Sequence, residues 1–378
     1  MTSKINFVDP HITSIEKKNL KNAIDSGWVS HGPFVEKFEK KFSKIIKSNY
    51  SISVNNGTNA ILLILIYLAF KKGDEVIVPS FCYISPIHML KILGLVPVPV
   101  DIKLEDLQIN EDQIEQKINK KTKAILLIHN YGNVCDLKKI EKIAKKHSLF
   151  IIEDISEVLL SKNGKNFLGS CNLLNKEKHI SYASLHASKT LFSGEGGVIF
   201  TNSKKISSKL KVLRNHGQKN NIAYFYNFIG GNFRLSNLLA SIGYSQLLRL
   251  KDIIKKKKSL DSQYTKKLSE NENFSLMKTA KNFNAIKWGF PIILKRQVDK
   301  VKLMRILNKK SLLCRPGFYG LNQLKYLKIF NHKNTKKLDF KRSIEANRNV
   351  IILPMHTKIT RNQIFEICDK INFYFSKK

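Results

Sequence analysis

The segment with the most chemical potential runs from Ser181 to Phe200, where a predicted strand leads to Lys189. A glycine-rich turn, GEGG at 194–197, and a second predicted strand follow it. A lysine amine in a partly desolvated site is a nucleophile that forms Schiff bases with carbonyl compounds. The chain has 57 lysines, most of which belong to its surface, so the position of Lys189 singles it out rather than its type.

Three other segments place polar or aromatic residues at the ends of predicted buried strands. Residues 56–59 (NGTN) precede a helix whose free N–H groups can hold a phosphate, although an ordinary strand-to-helix turn has the same pattern. Residues 80–83 (SFCY) offer an aromatic ring that either stacks on a flat cofactor or joins the core. Glu153 and Asp154 either serve a protonated ring nitrogen or form a helix cap or buried salt bridge.

Together these groups match the needs of one cofactor. Pyridoxal phosphate requires a phosphate cradle, a ring contact, a carboxylate near its ring nitrogen and a lysine that forms a Schiff base. The four features at strand ends are more specific together than any one alone. A later segment, GGNFRLSN at 230–237, adds polar anchors for a ligand or for the loop itself, with Ser236 or Asn237 as the cap of the next helix.

The hydrophobic pattern predicts the sheet that would bring these groups together. Between residues 51 and 152, short apolar segments alternate with helical ones, among them expected helices at 85–93, 111–118 and 137–147. The strands, such as EVIVP at 75–79, are apolar on both faces, which is typical of a parallel sheet covered on both sides by helices. Ligands of such α/β folds bind beyond the carboxyl ends of the strands.

The second part of the chain has a different pattern. From about 236 to 268 it predicts one long helix, and shorter elements follow, including helices near 297–310 and 361–374. We therefore expect a large cofactor-binding domain over 1–245 and a smaller C-terminal domain over 246–378. The length of 378 residues is sufficient for two domains of this kind.

The net charge of +37 arises from 66 basic and 29 acidic residues, and it attracts polyanions. The basic residues are spread along the chain, and only nine of them are arginines. Base readout and phosphate clamping favour arginine over lysine. We therefore interpret the charge as a lysine-covered surface and expect no nucleic-acid partner.

The cysteines and the apolar segments indicate the compartment. No cysteine pair has CxxC spacing, so neither a zinc nor a redox site is predicted, and the odd count fits a reducing cytosol. The N-terminal residues lack an apolar signal core, and the longest apolar run, at 61–70, is half the length of about 20 that a membrane span needs. We expect a cytoplasmic protein without a membrane partner. The cysteines are Cys82, Cys135, Cys171, Cys314 and Cys368.

The order of these segments resembles the DegT/DnrJ/EryC1/StrS aminotransferases, which are pyridoxal-phosphate enzymes of the aspartate-aminotransferase fold, fold type I. The strongest marks are SLHASKTLFSGEGGVIFTN at 184–202 and GGNFRLSNLLASIGYSQL at 230–247, with NNGTNA, GDEVIVPSF, IIEDISE and CRPGFY. The resemblance extends over nearly the whole chain. It implies an α/β fold with a mostly parallel central sheet covered by helices and a smaller C-terminal α/β domain.

The resemblance assigns cofactor contacts by position. Lys189 corresponds to the lysine of the internal aldimine, and Asp154 to the partner of the pyridinium nitrogen. Tyr83 stands where the family has its ring-stacking aromatic residue. Glu157 is also an expected cofactor contact; many members have glutamine or histidine at this position, and some sugar 4-aminotransferases have glutamate. The remaining expected cofactor contacts are Gly57, Thr58, Asn59 and Ser184.

The resemblance also implies a partner subunit. Asn232 matches an asparagine that reaches the phosphate from the other chain, so a homodimer with shared active sites is expected. We expect Arg315 to contact the sugar nucleotide or the donor carboxylate, with a structural ion pair as the alternative. His129 and His186 are expected near the substrate, and no metal site is expected.

The implied reaction is a two-step ping-pong transamination from L-glutamate to a keto group of a nucleotide-linked 4-keto-6-deoxysugar. In it, Lys189 acts as general base and acid. The segments YFYNFIGGNFRLSN and RPGFY look most like the branch that aminates C4 for O-antigen or other surface polysaccharides. Three alternatives stay open: a C3 aminotransferase on a dTDP-sugar, a sugar dehydratase of the same family, and a non-catalytic basic binding protein on this fold. The dehydratases have histidine in place of the lysine, so Lys189 favours transamination.

Overall fold

The computed structural model describes residues 4–218, 224–295, 298–309, 311–327 and 340–376. They form a seven-stranded sheet, a four-stranded sheet and a small three-stranded sheet. The helices in these ranges are α1 (Ser14–Asp25), α2 (Pro33–Ile46), α3 (Gly57–Leu68), α4 (Ser85–Ile92), α5 (Leu137–Lys146), α6 (Lys204–Arg214), α7 (Asn237–Leu248), α8 (Leu250–Leu268), α9 (Lys300–Lys309), α10 (Lys341–Asn349) and α11 (Arg361–Ser376). The strands are β1 (Tyr50–Val54), β2 (Glu75–Pro79), β3 (Val96–Val100), β4 (Thr122–Ile128), β5 (Phe150–Asp154), β6 (Lys162–Asn163), β7 (Asn166–Phe167), β8 (His179–Ser184), β9 (Gly197–Thr201), β10 (Phe274–Leu276), β11 (Phe283–Asn284), β12 (Phe290–Leu294), β13 (Arg315–Pro316) and β14 (Val350–Leu353).

The seven-stranded sheet has the order β1-β9-β8-β5-β4-β2-β3. Five neighbouring strands of this sheet run parallel to one another, namely β3, β2, β4, β5 and β8. Strand β9 runs antiparallel to both of its neighbours, β8 and β1. Successive side chains alternate between the two faces: Ile125 packs in the core with α2, α5 and α7, and Leu126 in the core with α3, α4 and α6. Both faces are therefore buried, which confirms the mostly parallel, helix-covered sheet expected from the sequence.

One edge of this sheet collects the ends of several strands. In the parallel part, Asp154 lies in register with Ile128 and Tyr182. Gly197, at the start of the antiparallel β9, pairs with both Val54 and Ser184. The residues that follow β1, β4, β5 and β8 consequently lie along a common edge.

The four-stranded antiparallel sheet, in the order β10-β12-β14-β13, lies in the last part of the chain. Helices α8, α9 and α11 cover one of its faces, where Tyr264 stacks on Phe290 with ring centroids 4.8 Å apart. Ile352 and Trp288 pack instead with Phe81 and Tyr131, which follow strands of the first sheet. This apolar contact brings the two sheets together beside the edge described above.

The N-terminal residues belong to the second part of the structure. Ile5 exchanges backbone hydrogen bonds with residues 311 and 313, at 2.8 and 3.0 Å, and forms a bridge with Leu312. Glu16 of α1 is buried and accepts hydrogen bonds from Arg249 at 2.8 Å and from Gln246 at 2.7 Å. The first helix is thus fixed to the junction of α7 and α8.

Two expected helices differ from the structure. The long helix expected over 236–268 breaks at Arg249, whose ψ of 13° interrupts the helix where its guanidinium binds Glu16. The helix expected over 111–118 is instead two short 3-10 turns, because Glu111 points inward to an ion pair with Lys103, 2.8 Å away. The domain boundary at 245/246 falls within α7 and stays a prediction.

The described residues include no helix that is long and apolar enough to cross a membrane. All five cysteines are free and buried. Burial raises the pKa of the Cys171 thiol to about 12, which keeps it protonated and unreactive.

Asp101, after β3, connects the two parts of the structure through its carboxylate. It accepts hydrogen bonds from the backbone N–H groups of Arg342 (2.9 Å) and Ser343 (3.0 Å) at the start of α10, and from the Ser80 hydroxyl (3.2 Å). A buried carboxylate at a helix N-terminus satisfies orphan donors and complements the helix dipole.

We expect Asp101→Ala to lower the free energy of unfolding by about 2–4 kcal/mol, because several buried donors lose their acceptor. Urea unfolding followed by circular dichroism measures this change. Asp25→Ala, which removes an exposed ion pair with Lys21, is the control and should change stability by less than about 1 kcal/mol. Equal losses for both variants would contradict the role given to Asp101.

Candidate active site

A cavity of about 510 Å³ opens at the carboxyl edge of the seven-stranded sheet, with one wall from the second sheet. Ten of the twelve site residues expected from the sequence line it, which brings together residues from separate motifs. They are Gly57, Thr58, Tyr83, His129, Asp154, Glu157, Ser184, His186, Lys189 and Arg315.

The start of α3 forms one end of the cavity. The Thr58 hydroxyl lies 2.7 Å from that of Ser85, and a Cβ atom on Gly57 would lie only 2.7 Å from Cβ of Ser184. Glycine is therefore required for the helix start to approach β8 this closely. The hydroxyls and the free N–H groups of this helix start suit a phosphate, as the sequence predicts. Asn59 does not line the cavity, because its amide donates to Asn55 at 2.9 Å.

Two adjacent carboxylates at the end of β5 have different surroundings. Glu153 is fully buried and binds His129 at 3.1 Å, His179 at 3.2 Å and the Ser181 hydroxyl at 2.8 Å. Burial alone would raise the pKa of Glu153, but the hydrogen bonds from the two histidines hold it well below its usual value. Glu153 therefore makes hydrogen bonds inside the protein and does not line the cavity.

Asp154 points into the cavity instead. It is 8% exposed, and its Oδ1 accepts a hydrogen bond from the backbone N–H of Ser156 at 2.9 Å. The pKa of the neighbouring Tyr182 is raised by burial and by the charge of Asp154. Within the described ranges, no cation lies within ion-pair distance of Asp154, and a buried anion needs such a partner. A protonated ring nitrogen in the cavity would supply it, so the residues present fit pyridoxal phosphate.

The amine of Lys189 is held from two sides. Its Nζ lies 3.2 Å from Oε1 of Glu157 and 4.6 Å from the centroid of the Trp288 ring. The other oxygen of Glu157 accepts from the backbone N–H of Tyr131 at 2.9 Å, which fixes the carboxylate. Trp288 also donates from Nε1 to the carbonyl of Ser188, at 2.7 Å.

Trp288 and the aromatic residues behind it are the main part of the site that the sequence analysis missed. The ring of Tyr131 stacks between those of Phe318 and Trp288, with centroid distances of 5.0 and 6.4 Å. Trp288 belongs to an apolar segment near β12, where an aromatic residue is expected in the core. Its contact with Lys189 depends on the docking of the second sheet, which no local pattern reveals.

The mouth of the cavity is lined by charged residues. Nδ1 of His186 accepts from the backbone N–H of Ser188 at 3.2 Å, and its Nε2 lies 3.6 Å from Oε1 of Glu195. The Arg315 guanidinium lies 4.5 Å from the centroid of the Phe7 ring and has no acidic partner in the described part of the chain. The described residues therefore lend no support to a structural ion pair of Arg315, and its two ligand contacts stay predictions.

Asn232 lies outside this cavity. It is exposed, and its carbonyl accepts from the Asn55 amide at 3.5 Å. Five exposed aromatic or aliphatic residues precede it. These are Tyr224, Phe225, Tyr226, Phe228 and Ile229.

Behind Trp288 lies a buried lysine that the sequence analysis did not single out. Nζ of Lys257, on α8, donates to the carbonyls of Trp288 at 3.2 Å and Met355 at 2.8 Å. Burial lowers the pKa of Lys257 to about 7, although the charge of Asp261 opposes this shift. Lys257 thus fixes the backbone of the residue whose ring contacts Lys189.

This lysine makes stability depend on pH. Between pH 7 and the ordinary lysine pKa of 10.5, the unfolded chain binds a proton that the folded chain releases. The free energy of unfolding should therefore rise with pH by up to about 1.4 kcal/mol per unit in this window. In Lys257→Met this contribution should vanish, whereas Lys258→Met, an exposed control on the same helix, should keep it. Urea unfolding at several pH values measures the slopes, and parallel slopes for both variants would exclude Lys257 as the source.

The described residues contain no cluster of side chains suited to a metal ion.

The sequence matches the DegT/DnrJ/EryC1/StrS aminotransferase family over residues 10–372. It is 32% identical to GDP-perosamine synthase of Escherichia coli O157:H7 over 372 residues, 98% of each chain. It is 33% identical to GDP-perosamine synthase of Vibrio cholerae over 372 residues, 97% of this chain and 98% of the relative. The solved structure of the putative sugar aminotransferase Spr1654 from Streptococcus pneumoniae, in its PLP form, has the same fold, with a TM-score of 0.91 at 22% identity over 99% of both chains.

Proposed function

We propose that this chain, which belongs to the DegT/DnrJ/EryC1/StrS aminotransferase family, transfers an amino group from L-glutamate to C4 of a nucleotide-linked 4-keto-6-deoxysugar. It is a sugar aminotransferase that depends on pyridoxal phosphate. The two GDP-perosamine synthases support a GDP-linked sugar as substrate and perosamine as the amino sugar made, for polysaccharide synthesis. The observation that carries the proposal is the Lys189 amine in a cavity that also holds the buried carboxylate of Asp154.

Different cavity residues would bind different parts of the cofactor. Bound pyridoxal phosphate supplies a carbonyl carbon that accepts the amino group and a ring that takes up electrons from the donor. Thr58, Ser184 and the N–H groups at the start of α3 would hold its phosphate. Asp154 would keep the ring nitrogen protonated, and Tyr83 would contact the ring.

Lys189 is the proton carrier of the proposed reaction. Its neutral amine takes the proton from the α-carbon of the donor, as a general base, and returns it as a general acid. The charged form is stabilised by Glu157 at 3.2 Å and by the face of Trp288 at 4.6 Å. The backbone N–H of Tyr131 fixes Glu157, which in turn holds the Lys189 amine. The amine therefore has the same position when it takes up the proton and when it returns it.

The donor half of the reaction can be tested without the sugar. We expect the protein to bind pyridoxal phosphate with a visible absorption band that fades on addition of L-glutamate. Lys189→Ala should lose this band and slow proton transfer by about 10²- to 10⁴-fold. Lys258→Ala, an exposed lysine, is the control and should resemble the wild type. A protein that stays colourless with added pyridoxal phosphate would refute the proposal.

The acceptor half identifies the sugar and the reaction type. Incubation with a GDP-linked 4-keto-6-deoxysugar should give a product whose mass shows the gain of an amine. Loss of the C3 oxygen would instead support the dehydratase alternative, and amination at C3, located by NMR, would support the C3 aminotransferase.

A homodimer with shared active sites is the assembly we propose. The support is the position of Asn232, outside the cavity of its own chain and a few residues after exposed apolar residues such as Tyr224, which is 87% exposed. Apolar patches of this kind mark interfaces. The free, buried cysteines are consistent with the cytoplasmic location that we also propose.

Mixing two inactive variants tests whether each active site is built from both subunits. In an equal mixture of Lys189→Ala and Asn232→Ala chains, half of the dimers are mixed, and each mixed dimer has one site with both residues intact. We therefore expect about a quarter of the wild-type activity to return after subunit exchange. Activity no higher than the mean of the two separate variants would show that each chain completes its own site.

A further inference from the structure

We propose that a small second cavity beside Lys189 binds a water molecule that connects the loop of this lysine to the second part of the structure. We call it the rear cavity; residues 7–11, the loop 187–190, Lys257 of α8 and residues 355–357 surround it. Its volume is about 30 Å³, and a buried water needs roughly 10–15 Å³ of such space. The water site depends on the structure alone, whereas the positioning of Lys189 by this water rests on the proposed function.

The rear cavity and the active-site cavity share a wall. Ser188, Lys189 and Trp288 line both of them. Within this wall, Nε1 of Trp288 donates to the carbonyl of Ser188 at 2.7 Å. A molecule in the rear cavity therefore lies next to the segment that carries the reactive amine.

His356 places an acceptor without a donor on the lining of the rear cavity. Its Nε2 lies 3.0 Å from the carbonyl oxygen of Asn6, so this nitrogen carries a hydrogen and donates it. Burial lowers the pKa of His356 to about 4, so the ring is neutral at pH 7 and Nδ1 has a free lone pair. Nδ1 is buried and accepts no hydrogen bond from the residues that the structure describes. Such a buried acceptor needs a donor.

Two further groups on the lining have unused hydrogen-bonding capacity. The hydroxyl of Thr190, the residue after Lys189, is buried and has no hydrogen-bond partner within the described ranges. The Lys257 amine donates to two carbonyls, which leaves a third N–H when the amine is charged and a lone pair when it is neutral. With His356, the lining thus offers three hydrogen-bonding groups, the number that a buried water typically uses.

Water fits this set of groups better than an ion does. The lone pair of His356 Nδ1 disfavours an anion, and the amines of Lys189 and Lys257 disfavour a cation. The carboxylate of Asp9, on the same lining, is paired with Lys358 at 2.7 Å. A water molecule donates to His356, exchanges a hydrogen bond with Thr190, and bonds to Lys257 in either protonation state.

This water would join three segments that are distant in the sequence. Thr190 belongs to the loop of the reactive lysine, Lys257 lies on α8, and His356 follows β14. A bridging water is nearly as favourable as a direct hydrogen bond. It would therefore limit the movement of the loop, and a catalytic group that moves out of its productive position transfers protons more slowly.

Crystal structures of the holoenzyme and of two Thr190 variants test the water site. The wild type should show a water molecule within hydrogen-bond distance of Thr190 Oγ1 and His356 Nδ1. Thr190→Ser keeps the hydroxyl and should keep the water, whereas Thr190→Val has a similar shape without the hydroxyl and should lose it. A dry cavity in the wild type, or an occupant that contacts neither group, would refute the water site.

The rate at which L-glutamate bleaches the visible band tests the positioning role. Thr190→Val should slow the bleaching at saturating glutamate by about two- to tenfold, the effect of one lost hydrogen bond. The glutamate concentration that gives half of the maximal rate should not change, because the hydroxyl lies outside the ligand cavity. Thr190→Ser should restore the wild-type rate, and Thr265→Val, which alters an exposed threonine of α8, is the control.

The remaining outcomes separate the parts of the proposal. Equal slowing in Thr190→Ser and Thr190→Val would show that packing matters rather than the hydroxyl, and would overturn the positioning role. A wild-type rate in Thr190→Val would overturn it as well. If the wild type binds pyridoxal phosphate but does not respond to L-glutamate, the proposed function and the positioning role both fail, while the crystal structures still decide the water site.

Discussion

The structure depends on how two neighbouring carboxylates at the end of one strand are satisfied. A buried carboxylate needs donors or a cation, and alternation along β5 sends the two to opposite sides. Glu153 takes its donors from His129, His179 and Ser181, which connect three adjacent strands. Asp154 faces the cavity, and no cation of the described residues lies within ion-pair distance of it, so a cationic group of a ligand would balance its charge. The same strand thus carries one carboxylate that stabilises the protein interior and one whose negative charge a protonated cofactor ring would balance.

The cavity also requires the second sheet. Lys189 and Glu157 belong to the first part of the chain, but the aromatic wall over the amine is Trp288, which comes after α8. Tyr131 lies between the two parts, with its ring against Trp288 and its backbone N–H on Glu157. The position of the reactive amine is therefore a property of the packing between the sheets rather than of either sheet alone.

The sequence predicted what local patterns encode. The apolar strands predicted the parallel sheet. The polar residues that follow these strands indicated Lys189 and Asp154 as candidate site residues. What it missed depends on contacts between distant segments. Trp288 has the pattern of a core residue, and the helix break at Arg249 results from an ion pair with Glu16, which is far away in the sequence. The roles of the individual cavity residues remain predictions.

The pairing of Ile5 with Leu312 has a consequence for the order of folding. The seven-stranded sheet is complete once β9 has left the ribosome, but the first residues of the chain wait for a partner about 300 residues later. At typical rates of synthesis this delay is roughly 15–60 seconds. Until then Ile5 and Phe7 cannot reach their native positions, where Ile5 packs with Leu312 and Phe7 lies against Trp288 with ring centroids 5.5 Å apart. The N-terminal segment is therefore among the last parts of the chain to gain its native contacts.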